Sequence, residues 1–469
     1  MSEQWDVIVV GAGSAGLPLA IHAAERGARI LQIEADDRIG GTLHWSSGQI
    51  SAAGTRLQRE LGIDDIPDEH YEDAQRIAHG LIDPTVLRLF VDNAASVIDW
   101  LMDIGFEPAP GMPVAGEAHE PYRTRRYLWG LNAGVSILDV LRPLHERRVA
   151  AGRIDLRLGH RLTGLVTRDG RVTGVEVERR HGGRETFEGA NVVLATGGYA
   201  ANPELWRELT PGIPLCSYCN PQSRGDGLRS AHAIGARVDG GEKFLCTFAG
   251  VLERPDDPTS GSFLALSPKA RNVWEIFVDG EGRRFMREDH PSIDYRERAL
   301  LAQPGMAMHI VFDEGIRQNA APISLTPAAE FQAKFGNHPN YLKADSIAAL
   351  ATQLGVPAAN LEETVSRYNV AVDEQRDEVF GRQFLIRRIE KPPFYAIRAC
   401  GITVLSPAGL AVDAELGVLD DAGEPIPNLY AAGEILGFGR TSGNAFVGGL
   451  SLTPALTFGK LLGERLLKW

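Results

Sequence analysis

Residues 5–10, Trp-Asp-Val-Ile-Val-Val, end in an unbroken apolar run. Such a run, with no polar alternation, fits a parallel strand buried on both faces. Residues 14–26 carry apolar side chains at helical spacing and 28–33 are apolar again, so the chain opens as strand, turn, helix, strand. Helical spacing returns over 85–105 (Val86, Leu89, Phe90, Ala94, Val97, Ile98, Leu101). Residues 154–178 alternate as antiparallel strands do, with a hairpin turn at Asp169-Gly170. Residues 191–196 read as another buried strand, closed by Gly197-Gly198, and 225–236 as a helix entered through Gly225-Asp226-Gly227.

The pattern shifts after residue 240. Residues 251–262 are rich in loop formers (Pro255, Pro258, Gly261), and 301–375 predict two or three amphipathic helices joined by polar loops. Strand patterning resumes near Pro392-Pro393-Phe394 and is followed by a strand at 429–432, a glycine-rich stretch and a final helix. The expectation is an α/β fold: a discontinuous domain formed by 1–240 and 392–469, interrupted by an inserted α+β cap domain at 241–391. No internal repeat is visible.

Gly11-Ala-Gly13-Ser14-Ala15-Gly16 lies directly between the first strand and the first helix. The first glycine permits the tight turn, the second a close approach to a pyrophosphate, and the third close packing of helix on strand. The start of the helix offers free N–H groups and a positive dipole end. Glu34 ends the second strand, where a carboxylate accepts from ribose hydroxyls and disfavours a 2′-phosphate. The pattern identifies a Rossmann-like dinucleotide site.

The chain of 469 residues has room for two or three domains, and a formal net charge of −13 disfavours nucleic-acid backbones and anionic membranes. No apolar run is long enough to cross a bilayer, and the N-terminus lacks a basic n-region. A cytoplasmic protein without stable membrane insertion is expected. Four cysteines do not make a disulfide framework. Cys216 and Cys219 form an isolated C-x-x-C, too few ligands for a zinc site, so no metal is expected.

Further motifs decide which dinucleotide. Gly40-Gly41-Thr42 follows the acidic residue, Ala195-Thr196-Gly197-Gly198 ends a later strand, and Asn428-Leu-Tyr-Ala-Ala-Gly433-Glu434 stands near the C-terminus. With Gly41-Thr-Leu-His-Trp-Ser-Ser-Gly48, Trp100-Leu-Met-Asp-Ile-Gly105, Arg284-Phe-Met-Arg-Glu288 and Pro454-Ala-Leu-Thr-Phe-Gly459, they resemble the FAD-dependent flavoprotein family of fumarate reductases, succinate dehydrogenases and 3-ketosteroid Δ1-dehydrogenases. The resemblance spans nearly the whole chain and is nearest to the ketone-desaturating branch.

It implies that Glu434 meets a ribose or ribityl hydroxyl. Residues 40–54, including Ser47 and Gly48, would line the isoalloxazine. The turn Gly448-Gly449-Leu450-Ser451-Leu452 would face the pyrimidine edge of the flavin. Thr453-Pro454 reads independently as N-cap and N1 of the last helix, whose positive end suits reduced flavin. Some relatives attach FAD through a His. Thr42 aligns there and His44 is two residues off, so FAD is expected to be non-covalent, with His44 a wall residue.

In this family two hydrogens are added or removed across a carbon–carbon bond next to a carbonyl. The dicarboxylate branch holds its substrate with a His and an Arg. Here Leu405 and Phe446 fill those positions, so succinate and fumarate are disfavoured, and the resemblance implies a dehydrogenase that desaturates a cyclic ketone at its α,β bond, with hydride passing to flavin N5 and the α proton to a Tyr base. Such a ketone is a steroid A-ring or a smaller ring such as 4-oxocyclohexanecarboxylate, whose carboxylate Arg123, Arg125 or Arg126 could bind. The alternatives are an ene-reductase acting on an unsaturated carboxylate and a non-catalytic flavin carrier. The electron acceptor is not legible.

The usual Arg proton donor falls near Ser292, leaving Arg296 and Arg298 downstream. The tail Tyr of the ketone branch falls near Ala445. Tyr199, directly after Thr196-Gly197-Gly198, is the first choice of base, followed by Tyr122, Tyr127, Tyr218 and Tyr295. A base role requires a lowered phenol pKa, and Arg126 beside Tyr122 is a candidate cause. The active site is expected between the two domains, with cap closure excluding water.

Overall fold

The computed structural model describes residues 4–116, 118–267 and 271–466. The chain divides into two compact units. The first comprises Met1–Pro211, Cys219–Phe244 and Leu405–Trp469, the second Gly212–Tyr218 and Leu245–Val404.

A mainly parallel sheet organises the first unit. Strand Gln4–Val10 lies between Ile30–Ile33 and Arg184–Leu194, parallel to both. Ile154–Arg157 extends the sheet on one side and Pro425–Ala431 on the other, again in parallel. Val10 stands opposite both Ile33 and Leu194, so the three central strands end at one level. Gly11, Glu34 and Thr196 follow those ends, and ligands of open α/β sheets bind at this edge.

Helix Gly16–Glu25 makes the first crossover and packs against helices Val135–Ala150 and Thr453–Arg465. Gly459 and Gly463, one turn apart, let the last helix come close. A Cβ on Gly459 would overlap the Ala15 carbonyl oxygen, and one on Gly463 would lie 2.6 Å from that of Leu19.

Strand Arg184–Leu194 serves two neighbours. Its first half runs antiparallel to Arg171–Arg179, its second half parallel to Gln4–Val10. The hairpin joining His160–Arg168 to Arg171–Arg179 turns at Asp169 (φ 51°) and Gly170 (φ 73°), the positive-φ pair of a two-residue turn. The alternation over 154–178 is antiparallel only from His160 onward. Ile154–Arg157 joins the parallel sheet instead, because four residues of alternation do not distinguish the two kinds of partner.

The second unit is built on an antiparallel sheet with Phe394–Ile402 as its hub. That strand pairs with Ala307–Asp313, Thr247–Leu252 and Tyr341–Ala344. Ile276–Val278 and Gly261–Phe263 extend the sheet further. The expected boundary at 392 is therefore corrected: Pro392-Pro393 introduces a strand of the second unit, and the chain rejoins the first unit at Leu405. The region 301–375 also holds strands Ala307–Asp313 and Tyr341–Ala344 among its helices. Short apolar runs such as 308–312 carry no periodicity that separates a strand from a helix.

The Arg284–Glu288 motif proves structural. The Arg284 guanidinium donates to both oxygens of Glu288 at 2.6 Å and to Asp377 at 2.8 Å. Arg382, fully buried, donates to the carbonyls of Glu275 and Val273. No helix among the described residues is long and apolar enough to cross a membrane.

Candidate active site

The glycine loop is shaped by backbone contacts. Gly11 has φ 113°, and a Cβ there would overlap the Ala195 carbonyl, while one on Gly16 would overlap the Gly11 carbonyl. Gly13 differs. A Cβ on Gly13 would meet only the Gly41 Cα, at an ordinary 3.8 Å. Nothing in the protein itself requires glycine there, which fits a loop kept bare for a pyrophosphate. The helix behind it begins at Gly16, not at residue 14, with Ala15 as N-cap, no capping side chain and no acidic residue in its first turn. Ser14 lies in the turn before it. By contrast, helix Pro84–Asp103 is closed by Asp83. An uncapped start leaves N–H donors for phosphate oxygens.

Glu34 is positioned by two backbone donors, Ala12 N–H to Oε2 and Asp36 N–H to Oε1, each at 2.8 Å. Burial raises its pKa, and the backbone donors oppose that rise. Gly40 (φ 114°) and Gly41 (φ 48°) bring the next loop to within 3.2 Å of Gly13 Cα, measured from a Cβ built on Gly41. Thr42 lies in the 3-10 turn Gly41–His44, and the His44 ring bonds the Ile39 carbonyl at 3.0 Å. Ser47 is exposed, and Gly48 (φ 72°) is buried against Ala133.

Thr196, Gly197 and Gly198 lead from the strand end to Glu434. A Cβ on Gly198 would overlap the Glu434 carboxylate and the Ser406 hydroxyl. Ser406 N–H donates to Glu434 Oε1 at 2.9 Å, and burial raises the Glu434 pKa. Gly433 holds φ 91° just before. The Thr196 hydroxyl is buried with no hydrogen-bond partner. That hydroxyl lies against Gly227, two residues past the end of strand Arg184–Leu194, at the sheet edge that Gly11 and Glu34 share, and a bound dinucleotide would supply it a partner.

The loop before the last helix is held from three directions. Tyr122 OH donates to the Gly448 carbonyl at 2.5 Å. A Cβ on Gly449 (φ 85°) would lie 2.5 Å from Ser51 Oγ. Ser51 N–H donates to Thr453 Oγ1, which donates in turn to the Gly449 carbonyl, both at 2.9 Å. Thr453 is thus not the N-cap. The N-cap is Leu452 and its side chain makes no capping bond, so the positive end beside Leu450 and Ser451 stays open.

Phe446 stacks on the His119 ring (centroids 4.0 Å apart, planes at 25°). Tyr127, nearby in sequence, lies against Gly448 and edge-on to Trp129.

The expected bases fare differently. Tyr199 is 0% exposed. Its hydroxyl bonds Thr210 Oγ1 at 2.7 Å and accepts the Ala408 N–H at 3.1 Å, and burial pushes its pKa up to about 12. Tyr199 therefore packs and bonds within the core instead of facing a bound molecule. Tyr122 is also buried, and its pKa is raised by that burial, not lowered. Arg126 does lie 5.0 Å from its ring. Its charge, however, is matched by Asp65 at 2.6 Å and Asp73 at 3.0 Å, so Arg126 is also unavailable to a substrate carboxylate. Arg123 and Arg125 are exposed.

In the second unit, Tyr218 and Tyr295 are 38% and 39% exposed. The Tyr295 ring stacks on His290 and its hydroxyl accepts the Arg287 N–H at 3.3 Å. Arg296 is 0% exposed, has Phe248 4.8 Å from its guanidinium, and donates from Nη1 to the Glu288 carbonyl at 3.5 Å. Its Nε has no partner, and burial pushes its pKa down to about 10.

The sequence profile of the FAD binding domain family matches residues 6–452. The chain belongs to this family. A probable fumarate reductase of Shewanella frigidimarina is 30% identical over 469 residues, spanning 100% of this chain and 75% of the relative. A vinyl phenol reductase of Lactiplantibacillus plantarum is 27% identical, spanning 92% and 90%. Among solved structures, an open flavocytochrome c3 fumarate reductase superposes with a TM-score of 0.76 at 27% identity, over 99% of this chain and 78% of that one. A 3-ketosteroid Δ1-dehydrogenase of Sterolibacterium denitrificans gives a TM-score of 0.76 at 22% identity, over 99% of both chains, and shares the fold.

This FAD binding domain protein is thus an FAD-dependent oxidoreductase of the fumarate reductase family. The cofactor, when bound, supplies two-electron hydride chemistry, and the protein supplies position and charge. Gly13, Glu34, Thr196, Glu434 and the open start of helix Thr453–Arg465 are the groups that fit it.

Several residues of the site escape sequence reasoning. Ser51 falls in the stretch 40–54 expected to line the isoalloxazine, but its bond to Thr453 leaves no sequence signal, and neither does the bond of Ser406 to Glu434. Gln32, buried beneath the glycine loop, left one visible signal: a polar residue inside the apolar run Ile30-Leu31-Gln32-Ile33.

Proposed function

We propose that this protein interconverts a cyclic ketone and its α,β-unsaturated counterpart, with reduction of the enone the faster direction at neutral pH. The observation that carries the substrate class is the Phe446–His119 stack, which stands where relatives that bind dicarboxylates place an Arg. Leu405 stands where they place a His. A carboxylate gains nothing from such a wall, whereas a ring is bound by stacking and apolar contact.

The direction follows from Arg296. A buried guanidinium whose pKa is pushed down to about 10 by desolvation is an acid at pH 7 and would donate the proton that the α carbon gains. Desaturation needs the same group as a base, and so rises with pH toward that value. Tyr199 and Tyr122, two of the tyrosines that would have favoured desaturation at neutral pH, are hydrogen-bonded and pushed up by burial. We hold FAD to be non-covalent, since Thr42 replaces the linking His and the His44 ring is bonded to Ile39.

A second reading, reduction of an unsaturated carboxylate, draws on the names of the relatives, among them an NADH:acrylate oxidoreductase of Vibrio harveyi. The two separate under anaerobic titration. Dithionite-reduced protein is mixed with 2-cyclohexenone, a 1-ene-3-ketosteroid, fumarate or acrylate while the flavin band is followed. Return of the oxidised band with a cyclic enone supports the proposal. Return with fumarate or acrylate and none with an enone overturns it.

A further inference from the structure

Gln32 sits in the middle of strand Ile30–Ile33 with 0% exposure, between neighbours that are all apolar. Burying an amide there has a cost unless its hydrogen bonds are made. They are made to the nucleotide loop: Nε2 donates to the Gly11 carbonyl at 3.1 Å and to the Gly16 carbonyl at 3.2 Å. These are the first and third glycines of the motif, and the amide uses one hydrogen on each.

The orientation of the amide is set from its other end. Oε1 lies 2.6 Å from Nε2 of His145, which is 0% exposed on helix Val135–Ala150. An amide oxygen only accepts, so His145 carries its proton on Nε2. Its Nδ1 is buried without a partner, and burial pushes the imidazole pKa down to about 4, so the ring is neutral. A flipped Gln32 would point its oxygen at two carbonyl oxygens and its NH2 at an N–H, so only one arrangement is stable.

The peptide between Gly11 and Ala12 is thereby gripped on both edges. Gln32 holds its carbonyl, and Glu34, two residues further along, holds its N–H at 2.8 Å. We infer that Gln32 and His145 form a positioning pair that sets the peptide planes of the phosphate loop, so that FAD affinity depends on two residues that do not themselves bind phosphate. The inference rests on the FAD binding that the family match establishes and is independent of the substrate proposed above.

The test uses the full chain stripped of FAD. Dissociation constants for FAD, ADP and adenosine are measured by titration calorimetry for wild type, Gln32→Met, His145→Leu, the double variant and His145→Gln. Losing two hydrogen bonds to loop carbonyls corresponds to about a tenfold weakening. FAD and ADP, which share the pyrophosphate, should weaken together by about that factor in each single variant, and little further in the double. Adenosine should be unaffected, His145→Gln should recover most of the loss by keeping a donor, and the flavin band of the saturated variants should match wild type. The inference fails if FAD and ADP bind within twofold of wild type in a folded variant. It fails equally if adenosine weakens as much as ADP, which marks general loosening. If Gln32→Met does not fold, the two His145 variants decide the matter alone.

Discussion

Thr453 Oγ1 accepts the Ser51 N–H at 2.9 Å across 402 positions of sequence, tying the loop after the first flavin motif to the start of the last helix. The same hydroxyl donates to the Gly449 carbonyl. One side chain thus fixes both walls of the turn expected at the pyrimidine edge. Thr453→Val keeps the shape and removes both bonds. We expect a loss of about 1–3 kcal/mol in stability, read by denaturant unfolding, together with a shift of the flavin midpoint potential, because the open helix end moves relative to its loop. An unchanged potential would confine Thr453 to folding.

Tyr199→Phe separates a catalytic from a packing role. The phenol oxygen accepts the Ala408 N–H inside the core, and its removal leaves that donor unsatisfied at a cost of about 1–3 kcal/mol. The melting temperature should fall while kcat/KM in saturated FAD stays within about threefold. A drop of a hundredfold or more at unchanged stability would return Tyr199 to the reaction.

Arg126→Leu removes the single cation shared by Asp65 and Asp73, all of them 1% or less exposed at the side chain. Asp73 keeps its ion pair with Arg76 at 2.7 Å, whereas Asp65 loses its cation, and one buried carboxylate left in that way costs about 3–5 kcal/mol. Denaturant unfolding should show that loss, and Asp65→Asn should recover part of it in the Arg126→Leu background.

His145 gives the protein an acid-sensitive term. Its ordinary pKa of 6.5 applies unfolded, and burial lowers it to about 4 in the native state. Between those values the unfolded chain binds the extra proton, so stability is full above 6.5 and declines as pH falls toward 4. The decline amounts to about 3 kcal/mol at most. Unfolding free energies of His145→Gln, measured from pH 7 to 4, should fall less steeply than those of wild type, and parallel curves would refute the assignment.

Phe446→Arg restores a carboxylate partner at the apolar wall. Binding of fumarate, followed by perturbation of the flavin band, should appear or strengthen at least tenfold, while affinity for a cyclic enone falls as the stack on His119 is lost.

The dinucleotide half of the molecule was legible because its chemistry is local. A glycine motif between an apolar strand and a helix, an acidic residue at the next strand end and Gly433-Glu434 each carry their meaning within a few residues. What sequence does not encode locally is which groups are already engaged. Tyr199 follows a flavin motif, yet its hydroxyl meets Thr210 and Ala408 through contacts formed only when distant segments pack. Arg126 reads as one of three similar arginines until burial beside Asp65 and Asp73 sets it apart. The strand Phe394–Ile402 joins the second unit because its partners lie 50 to 155 residues back, as Ala344 opposite Phe394 and Thr247 opposite Ile402 illustrate. Sequence by itself determined the cofactor and the α/β class, since each rests on residue identity at short spacing. The tertiary structure alone decided which titratable groups are engaged and which are desolvated, Arg126 by its ion pairs with Asp65 and Asp73 and Arg296 by burial, because pairing and desolvation depend on neighbours brought in from far along the chain.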